Sequence, residues 1–217
     1  METRPNVWDL RLDGGHPALD FVNSVGGPRG TDPDPNTDAL GGYGDLLEWS
    51  RRVGLLDDAA GERLARRARR RPTDARRAFA AALELRSLVD RIFRALAEGD
   101  RPSERDLADL RDAASGALQR ARLVPYHGGF RWSWREAGAL EAPLWPLAHA
   151  AVELLTGGPL DRLRCCDQCR WLFLDESRNR SRRWCSMKDC GTAVKKRRYI
   201  ERRRARSGRA RRTTPQE

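Results

Sequence analysis

The sequence predicts a mainly α-helical protein: a helical N-terminal domain with one β-hairpin, then a small treble-clef-like zinc finger and a basic C-terminal helix. Three observations predict this fold class. Apolar residues recur at helical spacing over most of the chain up to Leu155. One aromatic segment in that region alternates with a period of two instead. Two close pairs of cysteines then follow in a strongly basic segment.

The segment His16–Val25 is the first that resembles a core element, because its apolar residues suit a short helix packed on the rest of the domain. Asp20 and Asn23 are polar positions inside it and could line a ligand pocket. The alternative is that they hydrogen-bond backbone in a buried turn, as buried polar groups usually do. The next segment, Gly26–Asp38, is dense in Gly, Pro and Asp and predicts a surface loop.

Helical periodicity and capping residues place the remaining helices of this domain. Pro72 suits the first turn of the longest helix, and Ser103–Asp106 resembles a capping box. Pro146 must lie near the start of the last helix or kink it. The predicted helices run from about Leu46 to Val53, Asp57 to Arg71, Pro72 to Glu98, Ser103 to Gln119 and Leu140 to Leu155.

The segment Ala121–Arg135 interrupts the helical period. Phe130, Trp132 and Trp134 alternate after a Gly-Gly turn, which predicts a β-hairpin whose aromatic face packs on the helices. Stacking of nucleic-acid bases on the two tryptophans is the alternative. We prefer packing because the surrounding domain has almost no net charge to attract phosphates.

A linker rich in glycine, Thr156–Pro159, marks the predicted domain boundary. We expect residues 1–156 to form a helical domain that senses a ligand or dimerises, and to fold without the rest of the chain. Residues 161–206 form the predicted finger with its basic helix. Residues 207–217 form a predicted disordered basic tail.

The cysteines predict one structural zinc ion. Cys166 and Cys169 are separated by two residues, Cys185 and Cys190 by four, and two short chelating pairs with a spacer between them suit a tetrahedral site. Four thiolates leave no open position for water or substrate, so the zinc would be structural and not catalytic. Cys165 with Cys169 would be the alternative chelating pair. Disulfides or plain buried cysteines are the alternatives to zinc, disfavoured because the chain has no secretory signal and the paired spacing is typical of a metal site.

The finger is expected to follow a treble-clef-like order. Arg170–Leu174 predicts a strand, Asp175–Arg180 a polar turn and Ser181–Trp184 the return strand. No helix breaker occurs between Thr192 and Arg206, so a helix is expected to begin just after the last ligand.

The charge distribution predicts a polyanionic partner, DNA in preference to RNA. Residues 161–217 contain 19 Lys and Arg against 7 Asp and Glu, a net charge of +12, which leaves −1 for residues 1–160. An excess confined to one segment is typical of nucleic-acid binding. The alternative is that Arg178 and Arg182 pair with acidic residues of the finger itself. The predicted contacts are Arg178, Arg180, Arg182, Arg183, Lys195, Lys196, Arg198 and Arg202.

Two segments resemble known families. The C-terminal resemblance is carried by Cys166, Cys169, Trp171–Asp175, Ser177–Met187, Cys190–Gly191, Lys195 and Arg197–Tyr199. These residues resemble the CGNR-type zinc fingers of bacteria, although Thr192 and Ala193 stand where that family has Asn and Arg. The resemblance implies a zinc-binding domain of transcription regulators, described by some as RNA-binding.

His16–Val25 and Gly41–Leu56 resemble the ABATE domain, which usually precedes such fingers. Together the two resemblances imply a stress-induced transcription regulator.

Catalysis is not expected. His16, His127 and His149 are the three histidines and lie on different predicted elements, and no phosphate loop, nucleophile elbow or metalloprotease motif occurs. His16 with Asp20 would be the first candidates for an enzyme. We expect a cytoplasmic protein without a membrane span. A small-molecule effector and a homodimer are compatible with this architecture.

Overall fold

The computed structural model describes residues 5–134 and 138–210, with the backbone alone for residues 205–210. Within these residues it confirms the predicted fold class, with seven α-helices and two β-hairpins. No helix in this part of the chain is long and apolar enough to cross a membrane. The elements are α1 Pro17–Val22, α2 Tyr43–Arg52, α3 Asp58–Arg70, α4 Pro72–Glu98, α5 Glu104–Leu118, β1 Ala121–Tyr126, β2 Gly129–Trp134, α6 Leu144–Gly157, β3 Leu163–Cys165, β4 Leu172–Leu174 and α7 Thr192–Ala210.

The helix boundaries follow from local capping chemistry. The Asp57 carboxylate accepts the Ala60 N–H at 2.7 Å and begins α3, and the Ser103 hydroxyl accepts the Asp106 N–H at 3.0 Å and begins α5. Gly99 ends α4 in the left-handed region at φ 87°, where glycine costs least. Pro146 occupies the first turn of α6, as predicted.

The core is built around α4, which contacts α1, α2, α3, α5, α6 and β3. Phe93 and Ile92 on α4 are fully buried, and Phe21 of α1 packs on Trp49 of α2 with ring centroids 5.2 Å apart. Burial of side chains this large supplies most of the driving force for folding.

The hairpin of β3 and β4 also lies in this core. Leu163, Leu172 and Phe173 are buried in the same cluster as the helical side chains. The strand predicted at residues 170–174 is confirmed as β4, but the predicted return strand Ser181–Trp184 is wrong, because β3 is the antiparallel partner of β4. The segment 181–184 instead accepts a backbone hydrogen bond from Asp167, whose N–H donates to the Arg183 carbonyl at 2.9 Å.

Segments beside α1 satisfy the second edge of β4. The Asn23 side chain donates to the Leu172 carbonyl at 2.7 Å and accepts the Leu172 N–H at 2.9 Å. The Leu174 N–H donates to the Gly14 carbonyl at 3.0 Å. The two segments on either side of the linker therefore share one core, and this packing does not support the expectation that residues 1–156 are self-contained.

The hairpin of β1 and β2 packs on the helices only at its base. The Trp134 indole donates to the Ala117 carbonyl at 2.9 Å, and Trp134 and Trp132 lie 5.3 and 5.9 Å from the His149 ring. Phe130, however, is 72% exposed. The predicted packing of the aromatic face is thus correct for the base and wrong for the tip, which extends beyond the helices.

The last helix is longer than predicted. α7 continues to Ala210, four residues beyond the predicted end of the basic helix at Arg206, while the disorder of the tail stays a prediction. Residues 211–217, the rest of the predicted tail, lie outside the described residues.

We expect the substitution Asn23→Ala to lower the free energy of unfolding by about 2–4 kcal/mol, since it deprives a buried N–H and a buried carbonyl of Leu172 of their shared partner. Urea unfolding of the full chain measures this. The exposed Asn179 is the matched control, and Asn179→Ala should change the value by less than about 0.5 kcal/mol. Equal effects of the two substitutions would contradict the role of Asn23.

Candidate metal centre and nucleic-acid interface

Four cysteine sulfurs converge on one point of the finger. The Sγ atoms of Cys166, Cys169, Cys185 and Cys190 all lie within 4.8 Å of one another. Cys169 is 3.6 Å from Cys185 and 3.7 Å from Cys190, and Cys185 is 3.7 Å from Cys190. A tetrahedron with Zn–S bonds of about 2.3 Å has edges of about 3.8 Å, whereas a disulfide needs about 2.05 Å. The cluster therefore fits one zinc ion.

Each pair of ligands is positioned by a tight backbone turn. Cys166 directly follows β3, and the chain returns to β4 through Cys169, which forms an isolated bridge with Pro28. The Gln168 N–H donates to the Cys166 Sγ at 3.5 Å, which orients that sulfur. Cys190 lies in a π-turn, residues 187–191, that continues directly into α7. The metal site thus lies at the base of the basic helix.

The cluster requires a cation for its thiols to ionise together. Hydrogen bonding to Cys166 raises the pKa of Cys169 to about 12 and also raises the pKa of Cys185. Like charges this close disfavour one another strongly where little water is present. A bound zinc ion supplies the compensating charge, so binding of zinc and ionisation of the four thiols are coupled.

Cys165 lies outside the cluster. Its Sγ is 3.9 Å from an Arg94 nitrogen and 4.0 Å from a Glu98 oxygen, both on α4, and burial raises the pKa of this thiol. Cys165 is the last residue of β3, where its side chain points towards α4, and Cys166 points the other way. The structure therefore agrees with the predicted choice of Cys166.

A buried ion pair attaches the finger to α4. Arg170 is 4% exposed and donates to the Asp90 carboxylate, whose other oxygen accepts from Arg94 at 2.5 Å. Arg94 also donates to the Arg170 carbonyl at 2.9 Å. Nothing in the sequence indicates this triad, because Asp90 resembles an ordinary polar position on the outer face of a helix.

The helix α7 projects from the finger with little packing. Of its side chains that the structure describes, residues 192–204, Val194 is the one that is buried. Lys195, Arg198 and Arg202 recur every three to four residues and so share one face. Tyr199 and Ile200 are exposed as well.

Comparison with protein families adds two findings. The family model ABATE, described as "Putative stress-induced transcription regulator", matches residues 15–158. The chain belongs to the ABATE family. The model of the CGNR zinc finger matches residues 162–203, so the ABATE segment is followed directly by the finger. No curated protein matches the chain. Together the two matches indicate a zinc-binding regulator, and neither model describes an enzyme.

Within the ABATE segment, the polar residues of α1 serve the local fold. The His16 Nδ1 accepts the Ala18 N–H at 3.3 Å and caps the helix, and the Asp20 carboxylate accepts the Gly14 N–H at 2.8 Å. Asn23 contacts Leu172 as described above. These contacts match the backbone-bonding alternative, while a ligand at Asp20 and Asn23 stays a prediction.

The arginines of the finger loop divide into three groups. Arg182 lies over the Phe173 ring at 4.8 Å and donates to the Trp184 carbonyl at 2.9 Å, so it stabilises the finger from within. Arg180 pairs with Asp161, and Arg183 pairs with Asp167 at 2.6 Å, both on the surface. Arg178 is exposed.

Asp175 organises this loop through the backbone and not through arginine side chains. Its buried carboxylate accepts the Ser177 N–H at 2.9 Å and the Arg182 N–H at 2.8 Å. Burial alone would raise the pKa of Asp175, but these hydrogen bonds lower it below its ordinary value. The loop that presents Arg178 and Arg180 is thereby closed on itself.

Elemental analysis of purified full-length protein should give one zinc per chain. Cys185→Ser should lose most of this zinc, because three thiolates hold the ion far less tightly than four. Cys165→Ser removes a thiol next to the cluster but outside it, and should retain the full equivalent. Zinc loss in Cys165→Ser, or its retention in Cys185→Ser, would show that the ligand set is different.

The stability of the ABATE segment should depend on the ionisation of Asp20. Burial raises its pKa from 3.8 to about 6, so between these values the folded chain keeps a proton that the unfolded chain releases. Wild-type stability should therefore fall as pH rises from 4 to above 6, by on the order of 1–3 kcal/mol. Asn at this position can still accept the Gly14 N–H and does not ionise.

The measurement is urea unfolding of wild type and Asp20→Asn at pH 5 and at pH 8. The variant should gain stability relative to wild type at the higher pH. If the free energy of unfolding changed equally with pH in the two proteins, burial would not raise the pKa of Asp20.

Proposed function

We propose that this protein is a zinc-dependent DNA-binding transcription regulator, in which the finger binds DNA and the ABATE segment senses a ligand or dimerises. The proposal rests on α7, an exposed basic helix that begins at the metal site and makes few packing contacts. Its exposed cations are Lys195, Lys196, Arg197, Arg198, Arg202, Arg203 and Arg204.

A helix of this composition gains little from the rest of the protein. One buried apolar side chain, Val194, anchors it, and like charges at helical spacing repel one another. Phosphates would supply counter-charge to the exposed cations of this helix, and release of their condensed counterions would drive binding. The 19 residues of α7 span about 28 Å, long enough to cross a groove of the duplex.

DNA is favoured over RNA by the shape of this element. An exposed α-helix fits the major groove of B-form DNA, whereas the corresponding groove of A-form RNA is too deep and narrow for it. Binding of RNA, or of a protein partner around a purely structural zinc, is the second candidate, because basic charge alone would serve all of these partners.

We assign the phosphate contacts according to the partners that each basic side chain has within the protein. Lys195, Arg198 and Arg202 form the principal phosphate-binding face, with Lys196 beside it and Arg178 contributing from the finger loop. Arg180 and Arg183 form exposed ion pairs worth at most about 1 kcal/mol, so phosphate can replace the carboxylate. We assign Arg182 to holding the finger together instead of contacting phosphate.

The sensing and dimerisation roles rest on two features of the ABATE segment. A cavity of about 680 Å³ lies between α4, α5 and α6, with a largely apolar lining that includes Leu88 and Trp145 and with charged residues such as Arg91 and Asp109. Its volume is typical of small-molecule sites. The exposed apolar residues Leu123, Phe130 and Trp132 of the first hairpin would suit a second copy of the chain.

The double substitution Lys195→Ala/Arg198→Ala tests the proposed face. Fluorescence anisotropy with random duplex DNA at two salt concentrations should show weaker binding to all sequences, and a log–log salt slope flatter by about 1.8, since each phosphate contact contributes about 0.9. Zinc content and thermal stability should be unchanged, because both side chains are exposed.

Arg111→Ala/Arg122→Ala is the matched control, which removes two exposed arginines from α5 and β1 and should leave the slope as in wild type. Duplex RNA of the same length is the second ligand, because the groove of the A-form duplex is what should exclude α7. Unchanged DNA affinity and slope in the α7 variant, or tighter binding of RNA than of DNA by wild type, would overturn the assignment.

A further inference from the structure

A second basic surface lies far from the finger, on the outer face of α3. Residues 58–77 contain eight arginines against three acidic residues, although residues 1–160 as a whole carry −1. Arg63, Arg66, Arg67 and Arg70 follow the spacing that puts side chains on one face of a helix. This face borders a cavity of about 470 Å³, whose lining consists of five arginines, Leu64 and Gly138.

We propose that this cavity binds a small molecule that carries several phosphate groups. Its volume falls within the range of about 300–1,000 Å³ that small-molecule sites occupy, and it exceeds what a single phosphate ion would fill. Guanidinium groups bind phosphate oxygens in pairs with strong, charge-assisted hydrogen bonds. Five arginines contribute to the described lining, so the charge of these residues favours anions.

Two arginines define the centre of the site. Arg66 pairs with Glu62 at 3.5 Å and Arg71 with Asp74 at 3.8 Å, so part of their charge is met within the protein. Arg67 and Arg70 form no ion pair with the residues that the structure describes. The two residues are three positions apart, so they lie about one turn apart on the same face of α3, where one anion could contact both.

The Arg67 guanidinium lies against the backbone of Gly138 at the edge of the cavity. Gly138 adopts φ 80°, and a Cβ atom at this position would lie 2.6 Å from a guanidinium nitrogen of Arg67. A residue with a side chain would therefore displace Arg67 from its place. Glycine here leaves room for the guanidinium at the cavity wall.

The C-terminal end of α3 accounts for only part of this arrangement. Arg67, Arg69 and Arg70 occupy its last turn, where the helix dipole favours cations. That effect applies equally to Arg69, which does not line the cavity, and so does not explain why five arginines surround one space.

The cavity is separate from the proposed DNA-binding surface. Arg71 precedes the first residue of α4, and Asp90, which holds the finger, lies nineteen residues further along the same helix. At 1.5 Å per residue the two points are about 28 Å apart, well beyond the Debye length of about 8–10 Å. The site can therefore be tested independently of DNA binding.

The test uses full-length, zinc-loaded protein and sodium tripolyphosphate, titrated by calorimetry at 0.15 M salt. Arg67→Gln/Arg70→Gln should weaken binding at least about tenfold, since it removes the guanidiniums that contact the phosphates. Arg69→Gln/Arg76→Gln removes the same charge from exposed positions outside the cavity lining and should change binding less than about twofold. Orthophosphate should bind wild type much more weakly than tripolyphosphate.

Three results would overturn the proposal. Absence of tripolyphosphate binding to wild type would show that the cavity is not an anion site. Equal losses in the two double variants would show diffuse attraction to a basic surface. A loss of duplex DNA affinity in Arg67→Gln/Arg70→Gln as large as that caused by the α7 variant would show that this face is part of a nucleic-acid interface. Unchanged melting temperatures of both variants without ligand confirm that the comparison is between folded proteins.

Discussion

A buried strand needs hydrogen-bond partners along both of its edges, and β4 satisfies this requirement with two different segments of the chain. Leu172, Phe173 and Leu174 are all buried, so the cost of any unpaired peptide group on this strand would be high. β3 covers one edge, and the Asn23 side chain with the Gly14 carbonyl covers the other. This pairing joins the ABATE segment to the finger, and the position of the metal site follows from it, because Cys166 and Cys169 lie in the connection between β3 and β4.

The charged contacts at the same junction differ in what they contribute. Arg170 is almost fully buried and lies between Asp90 and the backbone around Thr31, so its charge is compensated only when the finger is seated on α4. Leaving such a group unpaired is costly, which makes the pair a determinant of correct docking more than a source of net stability. Arg29 and Asp167, by contrast, form a surface pair at 3.0 Å that solvent screens and that contributes at most about 1 kcal/mol.

The sequence predicts what is local and fails where a partner is distant. Helix boundaries at Asp57, Pro72 and Ser103 follow from caps and prolines that act within a turn, and the cysteine spacing reflects chelation by short backbone segments. The partner of β4 could not be found in this way, since β3 has three residues, lies on the far side of the first cysteine pair and shows no alternating pattern of its own. Asn23 stands out in the sequence as a polar position in an apolar segment, but its partner and that of Asp90 could not be predicted, because they lie 149 and 80 residues away. The role of Arg182 depends on the Phe173 ring, which only the folded loop brings near.

The shared core also determines how the ABATE segment could act on α7, the proposed DNA-binding helix. If a flexible linker were the connection, a conformational change in the helical domain would not affect the orientation of the finger. Here the first pair of cysteines is attached to β3 and β4, which pack on α1 and α4, and the second pair is attached to α7. The zinc site is one connection between the two, because α7 continues from the second cysteine pair, and the ion pair of Arg11 with Asp189 is another. In the proposed function, both contacts could carry a signal from the helical domain to α7.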